Sequence, residues 1–351
     1  QTLRPLSPYG APQLPAEAVL NTNENPYSPS PALQKAITDA VAQVAADLNR
    51  YPDRDATVLR TKLATYINER SGTDFSLENI WAANGSNEII QSIFLAFAQG
   101  PVLGFTPSYS MHPLIAKTTG AQWIDGKRNL DFSLNTDDAV TEIIKNKPTL
   151  TFITTPNNPT GGAVTIEAIQ KLADAAQSVG GLLVVDEAYA EFSQEHSAVT
   201  LISKNPHVIV IRTMSKAFAF AGVRVGYLVS DEAVKDAMMI VRLPYHLSAL
   251  TQAAAQVAID HRAELLGGVS TLIAARAELV DALHQMGLQT IPSSANFILF
   301  TGFKQDAPQL WAALLEKGVL IRDVGLSGYL RTTIGNEAEN QLFISALKEL
   351  I

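Results

Sequence analysis

The stretch VIVIRTMSKAFAFAGVRVGYLV, residues 208–229, decides the fold. The β-branched run Val208 to Ile211 reads as a fully buried strand, and Val225 to Val229 reads as another. Between them lies a polar turn holding Thr213, Ser215, Lys216 and Arg224. A lysine just beyond a strand's carboxyl end can be desolvated and used as a nucleophilic amine, while hydroxyls and an arginine beside it suit a phosphate dianion. The same letters also describe a surface lysine in a loop, since Ser-Lys pairs are common.

Working outward, further apolar runs at Pro101 to Phe105, Thr149 to Thr154 and Leu182 to Val185 predict strands. Thr165 to Val179 carries Ile166, Ile169, Leu172, Ala173 and Ala176 at helical spacing. Buried strands alternating with helices predict an α/β fold, a mostly parallel sheet with helices on both faces and right-handed crossovers. From about Thr251 the pattern changes to Ala-rich helices and then short strands at Asn296 to Phe300, Val319 to Arg322 and Tyr329 to Ile334, which predicts a smaller α+β lobe. The expected division is an arm at 1–31, a large domain at 32–250 and a small domain at 251–351. The Pro-rich arm is expected to lie across the small lobe or a partner subunit.

Composition narrows the function. The chain has 351 residues, 47% hydrophobic and 17% charged, enough for a well-buried core in two lobes. A net charge of -8 argues against a nucleic-acid partner, because affinity for phosphate backbones needs clustered Lys and Arg. The absence of cysteine excludes disulfides, thiolate metal sites and cysteine nucleophiles. The opening QTLRPLSPYGAPQLP does not read as a secretory signal, and no run approaches the ~20 apolar residues of a membrane span, so no membrane role and a cytoplasmic location are expected.

Three further segments carry chemistry. In LLVVDEAYAEF, Asp186 follows an apolar strand and Tyr189 comes three positions later. Ligands in open α/β sheets bind outside the carboxyl ends of the strands, so Asp186 is expected in the site, or alternatively as the N-cap of the next helix. TPNNPTGG, residues 155–162, fixes a tight turn with Asn157 offering a side-chain amide, although many turns look alike. In WAANGSNEII, Gly85 and Ser86 precede a helical run, and amides at that helix start make an anion site or simply a capped helix.

Taken in order, GSNE, Tyr109 in FTPSYSMHP, NNPTG, DEAY, TMSK and AGVR make the chain resemble the fold-type I aminotransferases over nearly its whole length. The resemblance implies a pyridoxal 5'-phosphate cofactor carried by Lys216 as a Schiff base, with Asp186 beside the pyridine nitrogen. It also implies Asn157 and Tyr189 on the phenolic oxygen, Tyr109 stacked on the ring, and a phosphate cup of Ser86, Thr213, Ser215 and Arg224, with Gly85 and Asn87 beside it.

The segments LNTNENPYSPS, LNRYPD and VLIRDVGLSGYLRTTIG are similar to the histidinol-phosphate aminotransferases within that family. This implies reversible transamination between L-histidinol phosphate and 2-oxoglutarate in L-histidine biosynthesis. It further implies a homodimer in which Tyr51 reaches the neighbour's cofactor phosphate, with Arg331 clamping the substrate carboxylate and Arg322 the substrate phosphate. Ala219 stands where many relatives have Gly, and Asn87 where many have Asp, close enough to affect substrate contacts. In LPYHLS, Tyr245 is the expected substrate contact, His246 is read as structural, and no metal is implied. The alternatives are an aromatic-amino-acid aminotransferase, which shares every cofactor motif, a lyase or decarboxylase using the same cofactor, and a noncatalytic module of a transcription regulator. The last needs a basic DNA-binding extension, which is not read here.

Overall fold

The computed structural model describes Arg4 and residues 10–351. A short strand β1, Ala18–Val19, precedes the strands of the main sheet. These are β2 (Ile80–Ala83), β3 (Val102–Thr106), β4 (Trp123–Lys127), β5 (Leu150–Thr154), β6 (Leu182–Asp186), β7 (Val208–Thr213) and β8 (Gly226–Val229). They lie in the order β2-β8-β7-β6-β5-β3-β4. The strands from β3 to β7 pair in parallel, whereas β8 runs antiparallel to both β7 and β2.

The strand centred on residue 210 explains why the sequence reads as it does. Val208 and Val210 join the core beneath helices Thr57–Ser71 and Ile166–Ser178, while Ile209 and Ile211 join a second core with Ile90 and Phe94 of helix Ser86–Phe97. Side chains alternate between faces along a strand, so a strand covered on both faces must be apolar at every position. The helix expected at Thr165 to Val179 is Ile166–Ser178, started by the Thr165 hydroxyl accepting from Ala168 N–H and carrying Ile169, Leu172, Ala173 and Ala176 inward. The apolar-run reading did not pick out β2 or β4; β4 is half exposed at the sheet edge.

The second lobe is built on β9 (Gln289–Thr290), β10 (Phe297–Thr301), β11 (Val319–Leu320) and β12 (Leu330–Thr333). Its antiparallel sheet has the order β12-β10-β9, covered by helices Arg262–Gln285 and Glu337–Leu350. The arm contributes to it, since β1 pairs in parallel with β11 and Ala18 and Leu20 are buried in its core; residues 1–3 and 5–9 of the expected arm lie outside the described residues. The expected boundary at 251 falls inside a helix. Helix Ala249–Asp260 sinks Ala254, Ala255, Ala258 and Ile259 into the core of the large lobe, and small-lobe packing begins near Val269. Ala-rich composition announced a helix but not which core its small face fits. Among the described residues no helix is long and apolar enough to cross a membrane.

Candidate active site

A cavity of about 560 Å³ opens where β5, β6 and β7 end, and it is lined by their last residues Thr154, Asp186 and Thr213. Residues of the arm and the small lobe close it from the other side. This is the crevice at the carboxyl ends of the strands that an open α/β sheet offers a ligand.

Lys216 follows β7 and turns back into this crevice. Its Nζ donates 2.7 Å to the carbonyl of Thr22 in the arm and lies 5.9 Å from the centre of the Tyr189 ring. Burial first, then the guanidiniums of Arg331 and Arg224, lower its pKa from the ordinary 10.5 to about 7, against an opposing pull from Glu24. Near neutral pH a large fraction is therefore the uncharged, nucleophilic amine.

Asp186 is buried at the end of β6. Its Oδ1 accepts from Ala188 N–H at 3.2 Å and its Oδ2 lies 3.2 Å from His112 Nε2. The helix-cap alternative is not realised, because the following turn Ala190–Phe192 starts after Tyr189. His112, fully buried in helix Met111–Thr119, was quoted within FTPSYSMHP without a role. A lone histidine carries no signal in sequence; only the fold sets it against the carboxylate.

The anion cup is shaped by two glycines. Gly85 has φ +82°, and a Cβ there would stand 2.6 Å from Arg224 Nη2; a Cβ on Gly226 would stand 2.5 Å from the Ser86 nitrogen. The turn thus lies flat on β8 beneath the guanidinium, an approach that only glycine permits. Ser86 and Asn87 begin helix Ser86–Phe97 and line the cavity, where the helix dipole favours an anion. Opposite them Thr213 Oγ1 bonds Ser215 Oγ at 3.0 Å, and Arg224 is braced on the Ala221 carbonyl at 3.1 Å.

Tyr109 donates 3.1 Å to Asn87 Oδ1, which ties the departing Asn87 to the ring side of the cavity. The Tyr189 hydroxyl accepts from Asn23 Nδ2 at 2.9 Å. Asn157 differs from expectation. It is fully buried beside the cavity rather than lining it, and its Nδ2 donates to the Pro107 carbonyl at 3.0 Å and to Thr160 Oγ1 at 2.8 Å, leaving Oδ1 without a partner among the described residues.

Arg322 and Arg331 face each other in an antiparallel bridge, each N–H donating to the other's carbonyl at 2.9 Å. Directly opposed residues of such a pair project from the same face, and both side chains enter the cavity. Arg331 is buried, bonding the Asn21 carbonyl at 2.8 Å and Asn158 Oδ1. Arg322 is half-buried at the mouth and reaches the Gly10 carbonyl at 3.4 Å. Tyr51 and Tyr245 are not brought into this cavity; they stack at 4.3 Å on the surface, with Tyr51 79% exposed. The arm residues Asn21, Thr22, Asn23 and Glu24 line it instead, and their signal was the quoted LNTNENPYSPS.

The donor set fits pyridoxal 5'-phosphate: a cup for its phosphate, an amine of lowered pKa for its carbonyl carbon and a buried carboxylate for its ring nitrogen.

The family model for aminotransferase class I and II matches residues 17–347. A histidinol-phosphate aminotransferase of Mycobacterium sp. strain JLS is 53% identical, over 99% of this chain and 93% of that protein. The histidinol-phosphate aminotransferase of Mycolicibacterium smegmatis is 52% identical over 99% and 92%. The crystal structure of histidinol-phosphate aminotransferase from Sinorhizobium meliloti in complex with pyridoxal-5'-phosphate shares the fold, with a TM-score of 0.83, 24% identity and coverage of 96% of this chain and 91% of that one.

Proposed function

The chain belongs to the class I and II aminotransferases, and from that premise we propose that it transaminates reversibly between L-histidinol phosphate and 2-oxoglutarate in L-histidine biosynthesis. The products are imidazole acetol phosphate and L-glutamate; an amino group and hydrogen change places with a keto oxygen, so no outside oxidant is needed. The observation that carries the substrate choice is the opposed pair Arg322 and Arg331, two cations on one face of the cavity, one buried and one at the mouth. Histidinol phosphate brings a phosphate dianion for the outer cation, a group that an aromatic amino acid donor lacks. The near-full-length identity to histidinol-phosphate aminotransferases supports the same choice.

Pyridoxal 5'-phosphate, when bound here, supplies an aldehyde that exchanges for the amino group and a ring that takes up the electron pair of the substrate Cα. Lys216 would hold the cofactor's carbonyl carbon through Nζ, and its amine, with a pKa near 7, is suited to take a proton from the substrate Cα and return it. Asp186 holds a proton on the ring nitrogen, and His112 fixes the carboxylate's direction. Gly85, Ser86, Asn87, Thr213, Ser215 and Arg224 would hold the cofactor phosphate, Tyr109 would stack on the ring, and the Tyr189 hydroxyl would bond the phenolic oxygen. A bond from Asn157 to that oxygen requires its Nδ2 to give up Thr160.

Arg331 receives the carboxylate of glutamate or 2-oxoglutarate, and Arg322 the phosphate of histidinol phosphate. The exposed Tyr51–Tyr245 stack supports a homodimer in which Tyr51 reaches the neighbour's cofactor phosphate and Tyr245 its substrate. A cytoplasmic location belongs to the same proposal. The test is a kinetic comparison of histidinol phosphate, histidinol and phenylalanine with 2-oxoglutarate as acceptor. Histidinol phosphate is expected to have the highest kcat/KM; a higher value for phenylalanine puts the aromatic aminotransferase in its place.

A further inference from the structure

The turn Asn84–Ser86 that forms one wall of the anion cup is held by residues that never enter the cavity. Glu88, half-buried in the first turn of helix Ser86–Phe97, takes two hydrogens from Asn84 on the same oxygen: from the backbone N–H at 2.6 Å and from Nδ2 at 2.8 Å. The Asn84 amide also donates to the His246 carbonyl at 2.8 Å. The His246 ring returns to the strand below, its Nε2 3.0 Å from the Ala82 carbonyl. A carbonyl only accepts, so Nε2 carries the hydrogen; Nδ1 is buried without a partner among the described residues. Strand end, turn and helix start are thereby bolted to one loop.

A carboxylate beside an anion cup repels the anion it is meant to receive. Its presence needs a gain to offset that, and the two charge-assisted bonds to Asn84 provide one. They fix the turn where a side chain on Gly85 would meet the Arg224 guanidinium and one on Gly226 would meet the Ser86 nitrogen. We propose that Glu88, acting through Asn84 and opposite His246, is a positioning residue that keeps this turn in the shape that receives a phosphate. The inference rests on the assignment of the cup to the cofactor phosphate made above.

The full chain, freed of cofactor, is titrated with pyridoxal 5'-phosphate and with pyridoxal, which lacks the phosphate. For Glu88→Ala the Kd of pyridoxal 5'-phosphate rises about tenfold to a hundredfold, while that of pyridoxal moves by less than about twofold. Equal rises for both would mean general damage to the helix, and no change or tighter binding of the phosphorylated form would mean that Glu88 acts only as a charge; each overturns the proposal. Asn84→Ala carries the same expectation and replaces Glu88→Ala if that variant does not fold. A wild-type protein that binds both compounds equally would remove the cup itself, a failure distinct from variants that keep the wild-type ratio.

Discussion

Replacing Arg322 with alanine tests the substrate assignment most directly. The guanidinium is half-buried at the cavity mouth, and its bond to the Gly10 carbonyl is long at 3.4 Å. Removing one member of a fully desolvated charge pair costs ~2 to 5 kcal/mol, and exposed pairs contribute ~1 kcal/mol or less. A half-buried arginine meeting a phosphate dianion falls between, at about 1.4 to 3 kcal/mol, which is a loss of roughly tenfold to a hundredfold in kcat/KM. The position at the mouth keeps the loss below that of a fully buried pair. The assay reads kcat/KM for histidinol phosphate and for histidinol, with 2-oxoglutarate as acceptor. The ratio between the two should collapse in the variant, with histidinol little changed. An equal loss for both donors would leave Arg322 as a structural residue and refute the reasoning.

Lys216→Met should abolish turnover and the visible absorbance of bound cofactor. Without cofactor it should also be more stable than wild type at pH 6 and much less so at pH 10, because a lysine of pKa about 7 in the fold and 10.5 unfolded destabilises the folded state fully below pH 7 and progressively less up to 10.5; parallel melting temperatures across that window would contradict the burial of its amine. Asp186→Asn should fold and bind cofactor yet transaminate on the order of a hundredfold to a thousandfold more slowly, since an amide cannot hold the ring nitrogen protonated; near-normal half-reaction rates would remove it from that role. A Tyr51 variant mixed with a Lys216 variant should regain activity in heterodimers that carry one intact shared site, and none after verified subunit exchange would show a self-contained site.

What could be read from the sequence was local. A buried strand followed by a polar turn declares itself through consecutive apolar positions, so Asp186, Thr213 and Lys216 could be placed at strand ends without coordinates, and all three line the cavity. What could not be read depends on which elements become neighbours. His112 gains its place because helix Met111–Thr119 packs beside the end of β6. The arm lines the cavity because β1 pairs with β11, some three hundred residues away, and a two-residue strand leaves no periodicity to detect. Asn157 was read as a free amide, but its turn folds so that the Pro107 carbonyl and Thr160 occupy that amide, a closure no spacing reveals. Tyr51 and Tyr245 lie outside this cavity because their segments pack beside one another on the surface.

The distribution of charge ties these pieces to the proposed reaction. The chain carries a net charge of -8, yet the cavity is lined by Lys216, Arg224, Arg322 and Arg331 against only Asp186 and Glu24. Cations gathered in a low-dielectric crevice, within a protein negative elsewhere, focus the field on the place where anions must bind. The same gathering has a second effect, since Arg331 and Arg224 help push the proton off Lys216. The arginines proposed to hold anionic groups therefore also help keep the amine of Lys216 unprotonated. The proposed donor adds a phosphate dianion that phenylalanine lacks, and the second guanidinium at the mouth with this positive excess supplies the charge to meet it.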